Sequence, residues 1–259
     1  MSDEPRPDHP PRTAAVIPAA GRGVRLGPGA PKALRSLGGT PMLIHAVRAM
    51  AQSRAVSLVV VVAPPDGATE VKNLLAEHAL PGDAPGSGWA GADLLVVPGG
   101  DTRQESVSRG LDALPDWVTD VLVHDAARPL VPVETVDSVI EAVRDGAPAV
   151  VPAMPLADTV KEVEPAPDGA PEPVVATPER SRLRAVQTPQ GFDRDTLVRA
   201  HREVRVGGEG ATDDAGMVER LGVPVVLVPG HEEAFKVTRP LDLVLAEAVL
   251  ARRRATDGY

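Results

Sequence analysis

The sequence predicts an α/β fold in which a mostly parallel β-sheet carries helices on both faces. From Ala14 onward, short β-branched runs alternate with longer segments of helical periodicity, which is the order expected of βαβ units. Runs such as 59–62, four consecutive valines, contain no alternating polar residues, so both faces of these strands should be covered by helices. The predicted strands are 14–17, 58–62, 94–97, 121–123, 149–151 and 225–228.

Helices are predicted between these strands, and two of them have recognisable starts. Thr40 followed by Pro41 is a favourable pair for an N-cap and a first helical residue. Thr102 and Glu105 have the spacing of a capping box. Further helices are predicted over 67–79, 133–144, 193–204, 213–221 and 240–252.

Four segments depart from the βαβ order. The proline-rich stretch 1–12 is expected to be a disordered leader, 253–259 a flexible tail, and 81–91 a loop, which leaves 13–252 as a single domain. Between 158 and 184, two strand-like pieces flank a stretch with four prolines, 164–173, that no central strand or helix could contain. This segment is either a protruding hairpin or a disordered surface insertion, and its composition does not decide between them.

Composition and charge limit the function. The chain has 259 residues, 27 Lys and Arg, 36 Asp and Glu, a net charge of −9 and no cysteine, which excludes disulfides, zinc–thiolate sites and cysteine nucleophiles. No apolar run approaches the roughly 20 residues that cross a bilayer, and a cytoplasmic location is expected. The negative charge argues against a general nucleic-acid binder, so an anionic ligand would need a local basic patch.

Such a patch follows the first predicted strand. Residues 18–32 are rich in glycine, alanine and proline and include Arg22, Arg25 and Lys32. Small residues let the backbone approach a ligand and direct several N–H groups toward it, so this loop suits a polyphosphate. It is not a dinucleotide-binding fingerprint, because Leu26 occupies the place of the third glycine. The alternative is an ordinary glycine-rich turn with solvated arginines.

A second cluster, His124 to Pro129, follows the predicted strand 121–123. Ligands bind at the carboxyl ends of the strands in an open parallel sheet, so Asp125 should lie at the same edge as the glycine-rich loop. A single carboxylate there suits a Mg²⁺ ion whose other ligands are substrate phosphates and water. The alternative for Asp125 is a helix cap, and His124 is interpreted as a structural histidine with satisfied hydrogen bonds.

Two later segments add a charge and a hydroxyl group. Lys236 is predicted on a short strand just before a helix. Thr212 lies at a predicted helix start, where threonine is most often a cap, although helix starts also bind anions.

Taken together, these motifs resemble one enzyme family. The motifs are 18–25, Pro31-Lys32, His124-Asp125-Ala126-Ala127-Arg128-Pro129, Thr188-Pro189-Gln190, 212–215 and Lys236-Val237-Thr238. The residues of these motifs and their order along the chain resemble those of the 2-C-methyl-D-erythritol 4-phosphate cytidylyltransferases. The resemblance covers the chain from about Ala14 to Leu250. The resemblance implies a nucleotide-diphospho-sugar transferase fold (Rossmann-like), CTP and a sugar-alcohol phosphate as substrates, Mg²⁺ or another divalent cation, and a homodimer.

The resemblance also implies residue roles. Arg25 and Lys32 would stabilise charge on the α-phosphate and the leaving pyrophosphate, with Lys236 assisting from the other side, and Asp125 would help to hold the metal. The implied nucleotide-binding residues are Ala19, Ala20, Gly21, Gly23, Gly100, Asp101 and Ser106. The implied substrate-binding residues are Asp125, Arg128, Thr159, Arg180, Thr188 and Thr212. Thr159 and Arg180 would lie on a β-arm, about 158–184, that reaches into the neighbouring subunit.

Three other functions are weighed against this one. A ribitol 5-phosphate cytidylyltransferase would share the CTP loop and differ in its acceptor. An NAD-dependent oxidoreductase fits the βαβ pattern but lacks the third glycine. A non-catalytic nucleotide sensor would not need the full set of Arg25, Lys32, Asp125 and Lys236.

Overall fold

The computed structural model describes residues 12–21, 31–78, 91–167, 169–207 and 212–257. The strands are β1 Thr13–Pro18, β2 Ser36–Leu37, β3 Thr40–Pro41, β4 Val56–Ala63, β5 Asp93–Pro98, β6 Asp120–Val123, β7 Ala149–Pro155, β8 Glu162–Val163, β9 Val174–Ala176, β10 Arg184–Val186, β11 Gln190–Asp193 and β12 Val226–Pro229. The α-helices are α1 Met42–Ala51, α2 Ala68–Glu77, α3 Arg103–Asp112, α4 Val133–Arg144, α5 Arg194–Gly207, α6 Asp214–Arg220 and α7 Pro240–Asp257.

The main sheet has the order β5–β4–β1–β6–β11–β7. Strands β5, β4, β1 and β6 pair in parallel, and β1 lies between β4 and β6. β11 pairs antiparallel with β6 and β7, β10 pairs antiparallel with β7, and β12 pairs in parallel with β7. The mostly parallel sheet predicted from the sequence is confirmed, and the six predicted strands all form.

Helices cover both faces of the sheet, as the apolar strand runs predict. Alternate residues of β1 enter different core layers, with Ala15 and Ile17 facing α1, α2 and α4. Ala14 and Val16 face α3, α5 and α6. Gly110 lets α3 pack closely, because a Cβ atom there would lie 2.6 Å from Val16 Cγ1. This close packing places the N-terminus of α3 over the carboxyl end of β1.

Two predicted helix starts have different outcomes. Thr102 caps α3 as expected, since its side chain accepts a hydrogen bond from Glu105 N at 3.0 Å. The prediction that Thr40 caps α1 is wrong: Thr40 and Pro41 form β3, and the helix begins at Met42 without a side-chain cap. Met42 N instead donates to Arg35 O at 2.9 Å, because β3 pairs with β2 before the helix begins.

The proline-rich segment between 158 and 184 forms a hairpin rather than a disordered insertion, since β8 and β9 pair antiparallel. Both strands are exposed over their whole length. α7 is longer than predicted and continues through residues 253–257, which were expected to belong to a tail. No helix among the described residues is long and apolar enough to cross a bilayer. Nearly all of the expected leader and loop, 1–11 and 81–90, lie outside the described residues.

Candidate active site

A cavity of about 280 Å³ opens at the carboxyl ends of β1, β5 and β6. β1 and β6 are neighbouring parallel strands, so the segments that follow them emerge at the same edge of the sheet. The cavity is lined by Pro18, Ala19, Ala20, Gly21, Lys32, Ala33, Gly100, Asp101, Thr102, Arg103, Ser106, Asp125, Ala126, Ala127 and Lys236. The predicted convergence is therefore confirmed for Asp125 and the described loop residues 18–21 and Lys32.

The turn from β5 into α3 forms one wall of this cavity. Gly99 N donates to Ala63 O at 2.7 Å, and Gly100 N donates to Ser106 Oγ at 3.1 Å. A Cβ atom on Gly99 would lie 2.8 Å from Ala63 O and 2.9 Å from Ser106 Oγ, so only glycine permits this close approach. The wall consequently offers backbone groups and a small hydroxyl group rather than bulky side chains.

Three charged side chains meet at the cavity. Asp125 Oδ2 lies 2.7 Å from Lys236 Nζ, and Asp125 Oδ1 lies 3.5 Å from an Arg103 guanidinium nitrogen. Burial by itself would raise the pKa of Asp125, but Arg103 and Lys236 hold this pKa far below its ordinary value. Asp125 is therefore an ionised carboxylate beside cations, and it does not cap a helix.

Arg103 is a site residue that sequence reasoning missed. It is the first residue of α3, and besides Asp125 it contacts the fully buried Asp214 at 2.7 Å. Asp214 also lies 3.0 Å from His201 Nε2. Burial would raise the pKa of Asp214, but its contacts with His201 and Arg103 lower it. The position of an arginine directly after the cap residue Thr102, at the carboxyl end of a strand, was the available signal.

Hydrogen bonds connect Asp125 to Thr188 and Thr188 to His124. Asp125 N donates to Thr188 Oγ1 at 3.0 Å, and the same hydroxyl group lies 3.1 Å from His124 Nδ1. His124 is fully buried, and its Nε2 lies 3.2 Å from Arg128 O, so the interpretation as a structural histidine is confirmed. The Thr188 hydroxyl group therefore positions Asp125 in this chain.

Burial lowers the pKa of His124 to about 4. Because the folded protein holds this imidazole neutral while the unfolded chain protonates it near pH 6.5, stability is full above that pH and is lost as the pH falls toward 4. We expect protonation of His124 to lower the free energy of unfolding by about 2–3 kcal/mol between pH 6.5 and pH 4. Urea unfolding of the wild type and His124→Gln at pH 7.5, 6, 5 and 4.5 measures this loss of unfolding free energy. Parallel curves for the two proteins would contradict this assignment.

Lys236 reaches the cavity from a segment that is not a strand, so that prediction is wrong. The next residue, Val237, donates a backbone hydrogen bond from its N to Ala127 O at 2.8 Å, in the segment that follows β6. Arg128 supports the same segment, since it donates to Ala234 O at 2.6 Å and to Val186 O at 3.2 Å. Burial lowers the pKa of Arg128.

The structure brings together nine of the predicted site residues: Ala19, Ala20, Gly21, Lys32, Gly100, Asp101, Ser106, Asp125 and Lys236. The described predicted residues that do not line the cavity are Arg128, Thr159, Arg180, Thr188 and Thr212. Thr212 is exposed and precedes the actual cap of α6, Asp213, whose side chain accepts from Gly216 N at 2.9 Å. Arg22, Gly23 and Arg25 lie outside the described residues.

Comparison with known proteins decides the family. The family model of 2-C-methyl-D-erythritol 4-phosphate cytidylyltransferase matches residues 13–252. The chain belongs to this family. A cytidylyltransferase of that name from Streptomyces avermitilis is 76% identical over 261 residues, covering 100% of both chains. Another, from Streptomyces coelicolor, is 77% identical over 251 residues, covering 96% of this chain and 89% of its own.

Solved cytidylyltransferases share the fold. The crystal structure of the 2-C-methyl-D-erythritol 4-phosphate cytidylyltransferase from Thermus thermophilus has a TM-score of 0.67 at 38% identity, covering 91% of this chain and 97% of its own. The 4-diphosphocytidyl-2C-methyl-D-erythritol synthase from Anaerococcus prevotii has a TM-score of 0.76 at 26% identity, covering 93% and 96%. The fold is therefore that of the nucleotide-diphospho-sugar transferases. The chain is a nucleotidyltransferase enzyme, so the oxidoreductase and sensor alternatives are wrong.

Proposed function

We propose that this chain transfers CMP from CTP to 2-C-methyl-D-erythritol 4-phosphate, giving 4-diphosphocytidyl-2-C-methyl-D-erythritol and pyrophosphate for isoprenoid synthesis. The observation that carries the proposal is the cavity at the edge of the sheet, which is lined by Lys32, Arg103 and Lys236 and in which Arg103 and Lys236 pair with the carboxylate of Asp125. In an acidic protein with a net charge of −9, this cavity is a local cationic site of the kind that a triphosphate needs.

The chemistry requires neutralisation of charge and in-line positioning. A phosphate oxygen of the acceptor forms a bond to the α-phosphorus of CTP while the bond to the pyrophosphate oxygen breaks, and the electron pair leaves with pyrophosphate. Lys32 and Arg25 stabilise the charge that grows on the α-phosphate and the leaving group. Lys236 orients the acceptor phosphate from the other side of the cavity. Catalysis of this kind depends on positioned cations rather than on a covalent protein intermediate.

Selection of cytosine is assigned to the wall between β5 and α3. The described nucleotide-binding residues are Ala19, Ala20, Gly21, Gly100, Asp101 and Ser106, and all of them line the cavity. Because these residues are mostly small and their backbone groups are close together, the space suits a pyrimidine better than a purine. The Ser106 hydroxyl group lies within hydrogen-bond distance of Gly100 N, which fixes its position.

A divalent cation such as Mg²⁺ fits this site if Asp125 and the substrate phosphates hold it together. The described residues contain no group of three or more His, Cys, Asp or Glu side chains that could hold a metal by themselves. Asp125 is an ionised carboxylate at the cavity, and Mg²⁺ commonly takes one or two carboxylates together with substrate phosphates and water. Asp125 would therefore hold the ion jointly with CTP, and the bound ion would neutralise phosphate charge.

The assembly that we propose is a homodimer formed through the hairpin. The apolar residues Val174, Val175 and Val186 are 57%, 57% and 48% exposed. Thr159 and Arg180 lie in the same region and do not line the described cavity of their own chain. Two arms exchanged between subunits would cover the valines and bring Thr159 and Arg180 to the partner's acceptor phosphate. The cytoplasmic location expected from the sequence stays a prediction.

Exchange of the arm has a direct test by complementation. If the arm acts on the partner's cavity, Lys32→Ala and Arg180→Ala disable the same site of a mixed dimer and leave its other site intact. Each purified variant alone should be nearly inactive, and a mixture refolded together should recover about a quarter of the wild-type rate, since half the dimers are mixed and each has one intact site. A mixture no more active than its components, or an elution volume of a monomer in gel filtration, would contradict the exchanged arm.

The function itself is tested by following pyrophosphate release with Mg²⁺ and CTP. Methylerythritol phosphate and ribitol 5-phosphate are offered side by side, and ATP replaces CTP in a parallel reaction. We expect release only with CTP and methylerythritol phosphate. Faster release with ribitol 5-phosphate would favour the alternative acceptor, and no release from CTP with methylerythritol phosphate would overturn the proposed function.

A further inference from the structure

The C-terminal helix contacts the segment that carries Lys236. Glu233 lies three residues before Lys236 in a 3₁₀ turn, Glu232–Ala234, and its carboxylate is only 10% exposed. Arg252 donates to one carboxylate oxygen of Glu233, and Arg253 donates to the other, with Arg253 Nε at 2.8 Å. We call these three residues, Glu233, Arg252 and Arg253, the C-terminal clamp.

Arg253 also contacts the segment that carries Asp125. Its guanidinium donates to Leu130 O at 2.7 Å, five residues after Asp125. One side chain of α7 thus bonds to both segments whose charged residues meet in the cavity. Leu130 is buried, so this contact lies within packed structure rather than on a mobile surface.

Other contacts also join the two segments, since Leu130 and Val237 pack in one buried apolar cluster. Val237 N donates to Ala127 O, and Arg128 donates to Ala234 O. On the far side, Asp242 accepts from Thr238 N and Arg239 N, each at 2.7 Å, which fixes the start of α7. The clamp restrains Glu233, which precedes Lys236, whereas Asp242 contacts only residues that follow Lys236. Lys236 itself is 40% exposed, so its own packing does not fix its position.

The electrostatics of the clamp favour this arrangement. Burial would raise the pKa of Glu233, but its hydrogen bonds with Arg253 and Arg252 lower it. Two arginines on one carboxylate, with bonds to both oxygens, define an orientation as well as a distance. Arg253 is the more enclosed arginine, 34% exposed against 63% for Arg252, so it should contribute more.

We propose that the C-terminal clamp is a positioning device for the transfer reaction: Arg253 holds Glu233 and Leu130 in register and so sets Lys236 relative to Asp125. The residues of the clamp do not touch the cavity, and they act through Lys236. This inference rests on the proposed function only for its kinetic consequence. A displacement of Lys236 by about 1 Å would lower the rate between about tenfold and a hundredfold.

The kinetic test compares Arg253→Met with a matched variant, Arg254→Met, on the same turn. Arg254 contacts Gly38 O at 3.2 Å, away from Lys236, and the chemical change is the same. We expect Arg253→Met to lower kcat/KM for the acceptor about tenfold or more and to change KM for CTP less than about threefold. Arg253→Lys, which keeps the positive charge but loses the forked guanidinium, should recover part of the rate that Arg253→Met loses. Equal losses in both methionine variants would overturn the proposal.

Two further measurements separate positioning from folding. In a Lys236→Met background, Arg253→Met should change the residual rate less than about twofold, because the residue through which it acts is already absent. The same fold loss in both backgrounds would overturn the proposal.

Hydrogen exchange provides a measurement that needs no activity. Arg253→Met should speed exchange of the Ala234 and Val237 amides about tenfold or more, and Arg254→Met should leave both unchanged. Unchanged exchange at both amides in Arg253→Met would count against the clamp. If the wild type releases no pyrophosphate, the proposed function fails, while these exchange rates still test the clamp.

Discussion

Lys32→Ala is expected to lower kcat at least about 100-fold while CTP binding weakens much less. Lys32 begins a short 3₁₀ turn directly after Pro31 and lines the cavity. Charge on the α-phosphate and the leaving pyrophosphate is larger in the transition state than in bound CTP, and the loss of a cation is therefore felt mainly in the rate. Arg25→Ala should behave in the same way.

The measurement is single-turnover pyrophosphate release together with the Kd for CTP. Lys72→Ala is the control, since Lys72 is an exposed lysine on α2 and undergoes the same chemical change. The control should retain the wild-type rate. A loss in CTP affinity as large as the loss in kcat would show that Lys32 acts on the ground state, contrary to the role given to it here.

Asp125→Asn is expected to lower kcat/KM at least about 100-fold and to raise the Mg²⁺ concentration for half-maximal rate about tenfold or more. The substitution keeps the shape of the side chain and removes the charge between Lys236 and Arg103. Two cations then face each other without a carboxylate, which should cost about 1–2 kcal/mol of unfolding free energy, since both partners are more than a third exposed and water screens them.

A Mg²⁺ titration of the rate and a urea titration of the folded protein measure these two effects. Asp66→Asn, an exposed aspartate in the turn after β4, serves as the matched control and should change neither. A variant with the wild-type Mg²⁺ requirement would exclude Asp125 as a metal ligand, whatever its effect on the rate.

Most of the fold could be predicted because its signals are local. Each parallel strand is a short apolar run bounded by turn residues, and α4 was predicted over the same residues, 133–144, that the structure shows. β11 was missed because Gln190–Asp193 is only four residues long and includes a glycine, and its strand character comes from pairing with β6 and β7. The cap predicted at Thr40 failed for a related reason, since pairing of β3 with β2 outweighed the local preference.

The candidate site was predictable where a motif follows a strand. Asp125, Lys32 and the glycine-rich loop share an edge because parallel strands end together. The C-terminal clamp was not predictable in this way, because an arginine on a helix is most often a solvated surface residue. Only the structure shows that Arg103 lies between Asp125 and Asp214 and that Arg253 contacts Glu233 and Leu130.

The sequence by itself determined the class of fold, the family, and the two motifs whose charges meet in the cavity, because periodicity, glycine placement and residue order are properties of short stretches. The tertiary structure decided which charged side chains are paired. Arg103 and Asp214 are 111 residues apart in the chain, and Arg253 and Leu130 are 123 residues apart. Contacts over such separations depend on how the helices pack on the sheet, so no local pattern encodes them.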